Sequence, residues 1–92
     1  MFVWDERKRA ANLAKHGLDF ADAGRVYDHP FKLTFASTRM GEDRRLDLVT
    51  VEDMLLTFIF IERRNEVWAI SLRRASRTER RIYEKVIKTQ PH

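Results

Sequence analysis

Residues 46–74 read LDLVTVEDMLLTFIFIERRNEVWAISLRR, and three strand-length runs within them decide the fold. Leu46 to Val51 is the first, and Glu52-Asp53 interrupts it as a tight turn. Leu55 to Glu62 follows, apolar on both sides, which is the pattern of a strand at the centre of a sheet. Arg63-Arg64-Asn65 turns the chain again, and Val67 to Arg74 forms the third run. Strands joined by such short turns run antiparallel. In the third run, a period of two predicts Trp68, Ile70 and Leu72 toward the core, with Ala69, Ser71 and Arg73 on the other side. Upstream, Phe31, Leu33 and Phe35 alternate with Lys32, Thr34 and Ala36, which adds another strand. Ser37 to Arg45 is polar, contains Gly41 and reads as a loop of roughly eight or nine residues.

Both flanks read as helix. Asp5 is placed as an N-cap, residues 6–16 are good helix formers, and Gly17 is a left-handed stop. Ala10, Leu13 and Ala14 are the expected buried stripe. Asp19 caps a second short helix in which Phe20, Ala23, Val26 and Tyr27 recur at helical spacing, and His29-Pro30 ends it. At the other end, Ser76-Arg77-Thr78-Glu79 has the spacing of a capping box. Ile82, Tyr83, Val86 and Ile87 then share one face of a last helix, before a tail from Thr89 to His92 that is expected to fray. The expected architecture is α+β in the order ααββββα. It comprises a helical hairpin, a four-stranded antiparallel meander and a C-terminal helix, with the helices on one face of a single domain, 1–92.

The 92 residues suffice for one modest core, and ten aromatics with 43% hydrophobic content exclude a disordered chain. Without cysteine there is no disulfide, thiolate nucleophile or thiolate metal site. His16, His29 and His92 lack second ligands at metal-binding spacing, and no phosphate-cradling glycine loop or nucleophile elbow is present, so no metal or other cofactor is expected. The N-terminus turns charged at Asp5 and builds no signal peptide. The longest apolar-rich run, Met54 to Ile61, is too short to span a bilayer, so a cytoplasmic protein with no membrane partner is expected.

Charge placement is more informative than its net value of +4. Residues 1–61 carry nine Lys/Arg against ten Asp/Glu, whereas residues 62–92 carry nine against four. A polyanion, with nucleic acid first, is the partner this asymmetry suggests. The arginines form two groups about 20–25 Å apart along an eight-residue strand. Arg63 and Arg64 lie at a turn, while Arg73 and Arg74 lie at a strand end near Arg77, Arg80 and Arg81 on the last helix. Their planar donor forks match phosphate oxygens. The plainer readings are solvated surface charge for any single arginine, a core tyrosine for Tyr83 and an ion pair with Arg63 for Glu62. Trp4 and Trp68 read as core residues, with base stacking the alternative for either.

Phe2-Val3-Trp4-Asp5, Lys8, Asn12, Lys15-His16-Gly17, Phe20, Ala23, Val26, Asp28 and Pro30 resemble the opening of the BrnT family of toxins. Gly41-Glu42-Asp43-Arg44 resembles its GEER-like segment, and Phe60-Ile61-Glu62-Arg63 its YTER. Ile70-Ser71-Leu72-Arg73-Arg74-Ala75 resembles ISARKA, with Leu72 and Arg74 departing from it. Arg80, Arg81, Tyr83 and Glu84 match the ERRRYE helix. The resemblance implies a RelE-like ribonuclease fold and an RNase that arrests translation. It further implies a BrnA-like ribbon-helix-helix antitoxin, with operator DNA bound only through the complex of the two. Self-association into a homodimer is a further way to cover apolar surface.

On this reading RNA is the substrate and its 2′-hydroxyl the nucleophile, without a metal. Arg63, Arg73 and Arg80 are the candidates for holding the phosphate. Glu62, Tyr83 and His16 are candidates for proton transfer, and Arg64, Arg74, Arg77 and Arg81 for binding the rest of the RNA. The alternative is a basic module that binds nucleic acid, or meets an acidic antitoxin, without catalysis.

Overall fold

The computed structural model describes residues 1–39 and 41–89, so His92 and most of the tail lie outside it. A two-residue strand β1 (Phe2–Val3) leads into helix α1 (Glu6–His16), a 3-10 turn (Phe20–Asp22) and the single helical turn α2 (Gly24–Tyr27). Strands β2 (Leu33–Arg39), β3 (Glu42–Val51), β4 (Met54–Arg63) and β5 (Glu66–Arg74) follow, and helix α3 (Arg77–Thr89) is last. The sheet order is β1-β5-β4-β3-β2.

This overturns the expected four-stranded antiparallel meander in the order ααββββα. The sheet has five strands and is mixed, because β1 runs parallel to β5 with Phe2 opposite Val67 and Val3 opposite Trp68. Two residues carry no periodicity, so the sequence pattern had nothing to show there. The strand exists because the β5 edge offers it partners, including the Val67 N–H bound to the Met1 carbonyl at 2.8 Å. The helical hairpin is also replaced. Of its two members only α1 is a full helix; Asp19 caps the next segment, accepting from the Ala21 N–H at 3.0 Å, but that segment winds as a 3-10 turn and then one α turn.

The caps of α1 are as expected. Asp5 accepts from the Arg7 N–H at 2.7 Å, and Gly17 takes φ 71° while its N–H closes onto the Leu13 carbonyl. The buried stripe is not. Ala10, Leu13 and Ala14 are exposed, and the one buried residue of α1 is Asn12. The helix lies along the β5 edge just beyond β1, where unpaired backbone groups need partners. Asn12 supplies both kinds: its Nδ2 donates to the Leu72 carbonyl at 2.8 Å and the Leu18 carbonyl at 2.9 Å, and its Oδ1 accepts from the Leu72 N–H at 3.1 Å. A polar side chain thus stands in for a neighbouring strand.

The four longer strands pair consecutively and antiparallel. β4 is central, and Leu55 to Phe58 are all buried there. One sheet face, with Val49, Leu56, Phe58, Phe60, Ala69 and Leu72, closes over Phe20, Ala23 and Val26 to make the core. The expected loop from Ser37 to Arg45 is instead ladder: Arg39 pairs with Glu42, Ser37 with Arg44 and Ala36 with Arg45. Backbone pairing holds this hairpin well past its apolar residues, so polarity misled the reading. Glu52-Asp53 and Arg64-Asn65 have φ between 48° and 66°. Positive φ at both central residues is the two-residue turn whose twist suits a hairpin.

The alternation in β5 breaks at Ile70. Ile59 pairs with Ser71 and Phe60 with Ala69, which leaves Ile70 as the extra residue of a β-bulge. Parity therefore inverts across it. Ala69 and Leu72 both enter the core, at 5% and 1% exposure, while Trp68 turns to the opposite face and is 41% exposed. The expectation of a core Trp68 is corrected by this one residue. The outer face also receives the first turn of α3, so the helices do not all pack on one side. Thr57 donates to Glu79 Oε1 at 2.9 Å there. No residue of α3 is buried, and Ile82 is 41% exposed.

Candidate functional site: a cationic groove beside β5

The bulge and the α1 edge together shape two adjoining depressions that share Lys8 and Ile70. One is lined by Lys8, Ala11, Asn12, Lys15, His16 and Ile70. The other runs onto the outer sheet face between Lys8, Glu42, Arg44, Ile61, Arg63, Trp68 and Ile70. Lys8, Asn12, Lys15 and His16 fall at i, i+4, i+7 and i+8, so one face of α1 forms the wall. Five of the lining groups are cationic or basic (Lys8, Lys15, His16, Arg44 and Arg63), against the single carboxylate of Glu42.

The groove has chemically different ends. At the Trp68 end, Arg44 donates to Glu42 at 3.2 Å, while its buried Nε–H has no acceptor among the described residues. A buried donor left unpaired is expensive in a folded protein. At the other end sits His16, half-buried at the C-terminus of α1. Burial chiefly, then the charges of Lys15 and Arg73, hold its pKa below the ordinary 6.5. The imidazole is thus biased toward its neutral, proton-accepting form near pH 7.

Arg63 lines the groove, but Arg73 is already engaged. Its guanidinium grips Glu79 in a bidentate pair at 2.7 and 2.9 Å, and Nη1 also donates to the Arg74 carbonyl. Glu79 is itself the capping box of α3, accepting from the Ser76 N–H at 2.8 Å while its own N–H donates to Ser76 Oγ at 3.1 Å. Arg73 therefore fastens α3 to the sheet. Arg73 and Arg63 stand opposite Thr57 and at the end of β4, six positions apart, or about 20 Å. Arg64 is exposed in the turn, and Arg77, Arg80 and Arg81 are exposed on α3. Arg74 is exposed and reaches Met54 Sδ at 3.5 Å. Tyr83 is half-buried. Glu62 points to the face opposite Arg63, where the Tyr27 hydroxyl donates to it at 3.2 Å, so the ion pair between these neighbours is absent. The structure thus brings Arg63 and His16 to adjoining depressions and leaves Glu62 outside both.

Lys8, Lys15 and Arg44 were not read from the sequence as site residues, and Trp68 was read as one only in the alternative to a core tryptophan. The spacing of Lys8, Asn12, Lys15 and His16 was the available signal, hidden because the apolar stripe beside it looked like the buried face.

The Arg73–Glu79 pair has a pH signature. Arg73 first, helped by the Ser76 and Thr57 hydrogen bonds, lowers the Glu79 pKa from 4.5 to about 2 against the opposing effect of burial. A depressed folded-state pKa means the stabilisation is complete above 4.5 and is lost as pH falls toward 2. The gap in thermal midpoint between wild type and Glu79→Gln is expected to be widest near neutral pH and to close across that window. A gap independent of pH would show that the charge on Glu79 contributes nothing.

The family model described as "Ribonuclease toxin, BrnT, of type II toxin-antitoxin system" matches residues 4–79. No curated protein matches the chain. Among the described residues, no helix is long and apolar enough to cross a membrane.

Proposed function

The chain belongs to the BrnT family, the ribonuclease toxins of type II toxin–antitoxin systems, and from that premise we propose that it cleaves RNA in the groove beside β5 and thereby arrests translation. The observation that carries this reading is the placement of His16, Lys15 and Arg63 in two adjoining depressions that share Lys8 and Ile70. The 2′-hydroxyl attacks the adjacent phosphorus, a new P–O bond forms, and the bond to the 5′-oxygen breaks. His16 accepts the proton of the 2′-hydroxyl, and Lys15 supports the extra negative charge on phosphorus from the same helix end. Lys8 and Arg63 hold phosphates farther along. Arg80, on the helix fastened by Glu79, is the candidate for a further phosphate contact, and Tyr83 for returning a proton to the leaving oxygen. Arg64, Arg74, Arg77 and Arg81 extend the positive field that gathers RNA. No step of this scheme calls on a metal.

The partner is a cognate antitoxin, proposed as a BrnA-like ribbon-helix-helix protein through which alone the pair meets operator DNA in the cytoplasm. It neutralises the toxin by closing the groove to RNA. The deciding experiment incubates purified, partner-free protein with end-labelled RNA, with and without excess chelator. Cleavage in both arms, suppressed by the antitoxin and leaving 2′,3′-cyclic phosphate and 5′-hydroxyl ends, is the expected result. Binding without cleavage would replace the nuclease with a non-catalytic RNA-binding module, and cleavage only without chelator would remove the metal-free scheme.

A further inference from the structure

Trp68 is a large aromatic held where aromatic rings are seldom left. Trp4 shows what a structural tryptophan looks like in this chain. Its indole packs on Phe20 at 6.3 Å, its N–H donates to Glu6 at 2.9 Å, and Arg9 lies over its ring at 5.8 Å. Trp68 has no aromatic, cationic or hydrogen-bonding partner among the described residues and is 41% exposed on the outer face. The bulge at Ile70 puts it there, since without that extra residue the strand's alternation would send it to the core side. Around it are Lys8, Arg44, Arg63 and the Glu42 carboxylate that Arg44 meets, with Ile61 and Ile70 as an apolar floor.

We infer that Trp68 is a stacking platform for an unpaired base, and that the substrate of the groove is therefore single-stranded RNA. This rests on the ribonuclease reading and deepens it. A flat π surface flanked by cations is the arrangement that takes a base on its face and the neighbouring phosphates on either side. A duplex keeps its base faces stacked inside the helix and has none to offer the indole. Position also assigns the role. Lys8, beside Trp68, and His16 are separated by eight helical residues, or about 12 Å. The stacked base is therefore removed from the bond that breaks, and Trp68 fixes affinity and register without touching the reacting atoms.

The test measures anisotropy of a fluorescent single-stranded oligonucleotide made non-cleavable by 2′-O-methylation, and, in parallel, kcat and KM on the unmodified strand. Trp68→Ala is expected to weaken binding and raise KM by roughly 5- to 150-fold, the range of one lost base stack, with kcat unchanged. Trp68→Phe should recover most of the loss, and the same sequence annealed to its complement should bind weakly and ignore the substitution. Thermal midpoints check that both variants fold. Equal affinity and KM in wild type and Trp68→Ala would overturn the inference while leaving the nuclease intact. So would a Trp68→Ala variant that loses affinity for the antitoxin alone, since the ring would then serve a protein partner. If the wild type binds the strand through Trp68 but cleaves no RNA, the platform stands and the ribonuclease reading falls.

Discussion

Asn12→Ala is expected to destabilise the protein by about 3 kcal/mol, because it strips hydrogen bonds from a buried strand edge and returns nothing. The side chain is 7% exposed and meets both the N–H and the carbonyl of Leu72, itself 1% exposed, besides the Leu18 carbonyl. Alanine leaves those groups facing neither water nor a partner, and each stranded group costs about 1–3 kcal/mol. For a domain of this size a loss of about 3 kcal/mol lowers the thermal midpoint by more than about 10 °C, and it is a large share of a typical total of about 5–15 kcal/mol. Leucine at the same place should do no better, since the loss is of hydrogen bonding and not of volume. Differential scanning calorimetry of the two variants settles it. A shift under about 3 °C would show that water or a backbone adjustment satisfies the β5 edge.

The second large effect falls on chemistry. His16→Gln is expected to cut the RNA cleavage rate by about 10²- to 10⁴-fold, the usual contribution of a positioned general base. The thermal midpoint should hardly move, since the ring makes no hydrogen bond among the described residues. The pH profile carries the diagnosis. In the wild type, the rate should rise as His16 loses its proton, with a midpoint below 6.5 because burial, Lys15 and Arg73 all disfavour the cation. The residual rate of His16→Gln should be flat over that interval. An unchanged rate in the variant, or an acid limb that survives the substitution, would move the base to another residue.

The parts of the fold visible in the sequence are those set by local chemistry. Asp5 and Gly17 bound α1, Ser76 and Glu79 close a reciprocal cap, and the apolar run at Leu55 marks the central strand, because each depends on neighbours a few residues away. What escaped depends on distant partners. β1 is two residues long and is a strand only because β5 is beside it. The register of Trp68 depends on a bulge that no alternation announces. Asn12 is polar yet buried, since the group it serves is sixty residues onward. The site divides the same way. Arg63 stood out by charge and lines the groove, whereas Arg73, equally prominent in the sequence, is bound to Glu79. Lys8, Lys15 and Arg44 gained meaning only once α1 and the outer sheet face were brought together.

The parallel pairing of Phe2 with Val67 bears on how the molecule is assembled in time. Hairpins joined by two-residue turns close small loops and form early, whereas joining the first strand to the last closes the loop from Phe2 to Val67 and carries the largest entropic toll of any contact in the sheet. During synthesis, α1 leaves the ribosome before β5 and has nothing to lie against until residues 66–74 have followed it out. The groove, having α1 as one wall and β5 as its floor, is thus a late product of folding. A nascent or truncated chain lacking residues 66–74 has no such cleft, and the proposed RNA-binding surface comes into being only after that strand has been made.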